Sequence, residues 1–69
     1  MDPTEIARLQ NYLRLKLGSE ELSVRARPKK DDSAEVYVQD EFIGVLFKDE
    51  EGDYNFDMAI LEIDLPEIN

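Results

Sequence analysis

Apolar residues recur with a helical period over residues 3–17 and with a strand period from residue 22 onward. Ile6, Leu9, Leu13 and Leu17 fall on one face of a helix. Asp2-Pro3-Thr4-Glu5 carries a helix-start signal. An aspartate there accepts from free amides, a proline fits the first turn, and Glu5 sits where a capping-box acid reaches back. Lys16 in the last turn complements the helix dipole, and Gly18 reads as the stop.

The remainder predicts four strands, at about 22–27, 33–38, 41–48 and 54–61, followed by a tail at 62–69. Pro28 ends the first strand, because proline cannot donate to a ladder. Lys29-Lys30-Asp31-Asp32 reads as a charged turn, and Gln39-Asp40 as a two-residue hairpin without its usual glycine. The acidic loop Asp49-Glu50-Glu51-Gly52 joins the last two strands. The apolar phase slips by one residue at Ile60-Leu61, which predicts a bulge or the end of the strand.

Simple pairing from each turn sets Val24 opposite Val36, Val36 opposite Ile43, Ala34 opposite Val45, Val45 opposite Phe56, and Ile43 opposite Met58. The expected fold is α+β: a two-layer domain with one N-terminal helix on a four-stranded antiparallel meander. Its helix-side face then holds Leu22, Val24, Val36, Ile43, Val45, Phe47, Phe56 and Met58. The opposite face holds Arg25, Arg27, Glu35, Tyr37, Phe42, Gly44, Leu46 and Asp57, with Arg25 facing Glu35 as a surface ion pair.

At 69 residues the chain has room for one domain. It has neither cysteine nor histidine, so disulfides and the usual structural zinc sites are excluded. Residues 1–30 carry +3 and residues 31–69 carry −12, giving the net −9. Such asymmetry marks a partner surface or internal charge pairing. The first residues hold neither a basic region nor an apolar run of signal-peptide length, and no run spans a bilayer. The expectation is a cytoplasmic protein with no membrane association.

The strings Arg27-Pro28-Lys29-Lys30-Asp31-Asp32-Ser33-Ala34-Glu35-Val36-Tyr37 and Asp40-Glu41-Phe42-Ile43-Gly44-Val45-Leu46-Phe47 are distinctive, as is Phe56-Asp57-Met58-Ala59-Ile60-Leu61. In these the chain resembles a family of short bacterial proteins classed as a domain of unknown function. It departs at Gln39, where that pattern has glycine. The resemblance implies a bacterial cytoplasmic protein. It implies no activity and brings no site residues with it.

Candidate chemistry is sparse. Nucleophile–base pairings that need His or Cys are unavailable, so no enzyme, no catalytic residue and no cofactor are expected. Glu35 and Asp57 flank Gly44 in the expected sheet, on a domain too small for a deep pocket. Asp49-Glu50-Glu51-Gly52-Asp53 misses the calcium-loop spacing and reads as a solubilising tip, with no metal expected. Arg25, Arg27, Lys29 and Lys30 form a basic cluster near Tyr37 and Phe42, the ingredients of a single-strand nucleic-acid binder. The net −9 opposes that reading. The favoured expectation is a protein-interaction module whose surface comprises Tyr37, Phe42, Leu46, Arg25, Arg27 and Asp57. Its partner is another protein or a second copy. Gly44 supplies a notch for the approaching chain, and Ile63, Leu65 and Ile68 of the tail are the rival cover for the same face.

Overall fold

The computed structural model describes residues 1–68. Helix α1 (Pro3–Leu17) is followed by strands β1 (Leu22–Arg27), β2 (Lys30–Val38), β3 (Glu41–Lys48) and β4 (Tyr54–Met58). A single 3-10 turn, η1 (Glu62–Asp64), follows in the C-terminal arm. The strands form one antiparallel sheet in the order β1-β2-β3-β4, and α1 lies on one face of it. No helix among the described residues is long and apolar enough to cross a membrane.

The helix begins and ends as its sequence dictates. The Glu5 amide donates to the Asp2 carboxylate at 2.8 Å, and the Glu5 carboxylate accepts from the Asp2 amide at 3.2 Å. Gly18 closes the helix in the left-handed region (φ 64°), where glycine carries no Cβ penalty, and its N–H donates to the Arg14 carbonyl. The core gathers Leu13, Leu22, Val24, Ala34, Val36 and Leu46, with Ile6, Leu9, Ile43 and Phe56 packed against it. Leu17 and Ala26 stay exposed. The helix is bound to β1 at Leu22 and Val24, which leaves Ala26 uncovered.

The central β1–β2 pairing and the β2–β3 turn follow the expected course. Val24 lies opposite Val36 and Arg25 opposite Glu35. Gln39 and Asp40 both adopt positive φ (52° and 63°), as a type I′ two-residue turn requires, and Val38 faces Glu41. At the other end of β2 the turn is tighter than the charged run suggests. A register shift sets Arg27 opposite Lys30, so Lys30 to Asp32 belong to the strand.

The decisive departure lies in β3. Tyr37 faces Phe42, yet Val36 faces Gly44, so Ile43 is an extra residue with no partner on β2. This is a β-bulge. Because side chains alternate with a period of two, one extra residue exchanges the faces of every position after it. Ala34 faces Leu46 rather than Val45. Leu46 is buried in the core at 3% exposure, while Val45 and Phe47 turn to the outer face. A second one-residue difference follows. The β3–β4 loop holds five residues, closed by the Asp49 amide on the Asp53 carbonyl at 2.8 Å. Leu46 therefore faces Phe56 and Gly44 faces Met58, in place of Val45 and Ile43. The two offsets compensate, so Tyr54, Phe56 and Met58 lie on the helix side as expected. Pairing of β4 stops at Met58, not residue 61, where the bulge interrupts its partner strand.

Gly44 is the residue that permits this. A Cβ there would lie 2.4 Å from the Asp57 carbonyl oxygen and 2.6 Å from a Phe56 ring carbon. The Phe56 ring occupies the space that a side chain would take, so the notch is filled from within the chain.

Polar contacts set the path of the helix across the sheet. At one end Glu5 accepts from Lys48 at 2.7 Å and from the Tyr54 hydroxyl at 2.8 Å. Farther along, Gln10 accepts from the Val24 amide at 3.1 Å and Arg14 donates to the Leu22 carbonyl at 2.7 Å. The Glu5 carboxyl is held down at about 2, first by the Lys48 hydrogen bond and then by those from Tyr54 and the Asp2 backbone.

Two outcomes test this architecture. Leu46→Ala should lower the unfolding free energy by about 2–5 kcal/mol and Val45→Ala by about 1 kcal/mol or less, measured by urea titration, and the reverse order would place the bulge elsewhere. A carboxyl pKa depressed by folding contributes stability above its unfolded value and loses it as the acid form fills. Wild-type stability should therefore decline from about pH 4.5 down to about 2. Glu5→Gln should be less stable at neutral pH and show a flatter profile across that window in thermal melts.

Candidate interaction surface

The outer face of the sheet lies opposite α1, and its residues follow from the observed register. One row crosses the sheet from Arg25 through Glu35 and Val45 to Asp57. The row nearest the β2–β3 turn holds Ser23, Tyr37 and Phe42. The row at the far end holds Ser33, Phe47 and Asn55. Tyr37, Phe42, Val45 and Phe47 thus make an apolar and aromatic strip, with Phe42 51% and Phe47 41% exposed.

The expected surface is partly assembled. Tyr37, Phe42, Arg25 and Asp57 share this face, whereas Leu46 lies in the core, because the bulge turned it inward. Val45 and Phe47 take its place. The isolated glycine inside a strand was the available signal, since such a glycine marks a bulge as readily as a point of close approach. Glu35 and Asp57 flank Val45, not Gly44. The arm does not cover the strip: Ile63, Leu65 and Ile68 are themselves exposed.

Arg25 is held in place from several sides. Its guanidinium stands 3.9 Å above the Tyr37 ring, pairs with Asp40 at 2.6 Å, and donates to the Ser23 hydroxyl at 3.3 Å. Asp40, brought round by the two-residue turn, replaces Glu35 as the ion-pair partner. Glu35 instead accepts from the Tyr37 hydroxyl at 2.9 Å. Tyr37 also meets Phe42 edge-to-face, with centroids 5.7 Å apart. The result is a column of Arg25, Tyr37 and Phe42 whose first two members are already ordered. The Glu35 hydrogen bond raises the Tyr37 phenol above its ordinary value, assisted by partial burial and by the Glu35 charge.

The basic cluster is divided. Arg27 donates to the buried Ser33 hydroxyl at 3.2 Å, and Arg25 is committed to Asp40. Lys29 and Lys30 lie exposed at the β1–β2 turn. Lys30 and Tyr37 stand at opposite ends of β2, roughly 23 Å apart at the rise of a strand. In the acidic loop the Asp49 carboxylate accepts from the Glu51 and Asp53 amides, each at 2.9 Å. Among the described residues no group of three or more carboxylates converges as a cation site would.

A family model described as "Protein of unknown function (DUF3126)" matches residues 5–64. No curated protein and no solved structure matches the chain.

The Tyr37–Glu35 contact generates one expectation. Glu35→Gln should bring the Tyr37 phenol back down toward the ordinary tyrosine value, followed by ring-carbon chemical shifts against pH. An unchanged titration would mean that the Glu35 carboxylate does not hold that hydroxyl.

Proposed function

This chain belongs to the DUF3126 family of unknown function, and we propose that it is a non-enzymatic protein-interaction module that docks its partner on the outer sheet face. The observation that carries this reading is the strip of Tyr37, Phe42, Val45 and Phe47, which no segment among the described residues covers. A patch of large apolar side chains beside a fixed arginine resembles the anchors that dominate binding energy at interfaces. Arg25 and Tyr37 are restrained before any partner arrives, so little side-chain entropy is lost on docking.

The partner this surface fits has an apolar centre and a basic rim. Glu35, Asp40 and Asp57 border the strip, and the chain as a whole carries −9. The same charge repels phosphate backbones, and the two arginines of the basic cluster are already engaged within the fold. With no cysteine, the chain gains nothing from an oxidising compartment, which supports a cytoplasmic setting.

The test uses the double variant Phe42→Asp with Phe47→Asp. Both side chains are substantially exposed, so the melting midpoint should move by only a few degrees. A partner recovered with the wild-type chain and reconstituted from purified components should bind the variant about 30-fold more weakly or worse. Equal affinity would remove the outer face from the interaction. Micromolar, salt-sensitive binding of an RNA or DNA oligomer, weakened by Lys29→Glu with Lys30→Glu, would replace this reading with nucleic-acid binding.

A further inference from the structure

The two edges of the sheet are treated differently. On β1 the outward Leu22 carbonyl and Val24 amide are taken by the Arg14 and Gln10 side chains. The bond from the Asp49 amide to the Asp53 carbonyl sets the alternation on β4. Asn55 and Asp57 turn their backbone groups toward β3, and Tyr54, Phe56 and Met58 turn theirs outward. Among the described residues no hydrogen bond reaches those outward groups. This edge has no proline, lysine or bulge to guard it.

We infer that β4 pairs antiparallel with β4 of a second copy of this chain about a two-fold axis at Phe56, joining two sheets into one of eight strands. In this register Tyr54 lies opposite Met58 and Phe56 opposite itself, so every outward N–H and C=O of the strand gains a partner. Tyr54, Phe56 and Met58 form an unbroken row on the helix side. On the outer side Asn55 lies opposite Asp57. A slip of two residues in either direction sets Asp57 opposite another aspartate, either Asp57 or Asp53 of the second copy. Like charges directly opposite destabilise a ladder, so the sequence selects one register.

The same register delivers the arm to a receiving groove. Past Met58 each chain runs beside residues 51–53 of the other, which sets Ile60 opposite Gly52. There α1 and the residues at the start of β4 enclose a groove lined by Glu5, Arg8, Leu9 and Tyr12 on the helix and by Gly52, Asp53 and Tyr54. Ile60 and Tyr12 are both largely exposed in the single chain and bury one another in the pair.

The surface area agrees. A compact monomer of this mass exposes about 4,500 Å². The chain exposes 5676 Å². The surplus of roughly 1,200 Å² exceeds the ~800 Å² per partner of an ordinary stable interface. The shape agrees as well: the radius of gyration is 13.1 Å and the long dimension 44 Å. A compact chain of this length has a radius of gyration of about 11 Å. The inference is independent of the outer-face reading, because the strip stays on the open side of both copies.

Sedimentation equilibrium of the full-length chain, from micromolar to millimolar at physiological salt, tests it. We expect a reversible monomer–dimer equilibrium that tightens as salt screens the repulsion between two −9 chains. Asn55→Lys places two opposite-charge pairs across the axis and should lower Kd roughly 2- to 30-fold. Asn55→Asp should raise it by a similar factor. Both substitutions lie at an exposed position, and unchanged circular dichroism verifies the monomer fold. Amides of Tyr54, Phe56 and Met58 should gain exchange protection as concentration rises. A strictly monomeric wild type and Asn55→Lys variant would overturn the inference and leave the outer-face reading standing. A dimer that leaves those three amides unprotected, or that Phe42→Asp with Phe47→Asp abolishes, would also overturn it by moving the contact off the edge.

Discussion

A strand alternates its side chains between two faces, so a single unpaired residue reassigns everything beyond it. In this chain that residue is Ile43, and Gly44 beside it makes the arrangement possible. The absent Cβ lets the Phe56 ring and the Asp57 backbone close on β3. With the bulge in place, Leu46 enters the core against Ala34 and Phe56. Val45 and Phe47 leave it for the outer face. The core composition, the outer strip and the point where β4 stops all follow from this one irregularity.

The second constraint is the small size of the core. Six apolar side chains among the described residues are buried, a thin base for a domain with no cysteine to form a disulfide. Polar ties between α1 and the sheet supplement it. Glu5 serves its own helix through the capping box and serves the sheet through Lys48 and Tyr54. Gln10 and Arg14 hold the helix to β1 and occupy the backbone groups that an edge strand would otherwise present. The residues that position the helix therefore also protect one edge, and β4 is left as the edge available to another chain.

Charge segregation acts on the same plan. The basic first half builds α1 and β1, and the acidic second half builds most of β3, β4 and the arm. Among the described residues one ion pair, Arg25 with Asp40, joins the basic half to the acidic half, while Glu5 with Lys48 runs the other way, its acid from the first half and its base from the second. The exposed Arg25–Asp40 pair contributes little to stability, so its main effect is on orientation. The rest of the acidic charge remains on the surface, where its field repels anions and attracts cations.

Local chemistry in the sequence determined a good part of this protein. The helix from Pro3 to Leu17, its caps, the four strands in meander order and the turn at Gln39-Asp40 are set by contacts between near neighbours, and near neighbours are legible in one dimension. So were Arg25, Tyr37, Phe42 and Asp57 as one face. The phase of β3 beyond Ile43 was not. Phe42, Ile43, Val45, Leu46 and Phe47 are apolar on both parities, so alternation there carries no information about which side is buried. Only packing decides between them: the Phe56 ring fills the space that Gly44 leaves by having no side chain. The ion pair of Arg25 likewise went to Asp40 through the path of a turn. Periodicity specifies an element and its faces only where the two faces differ. Where both are apolar, the tertiary structure chooses.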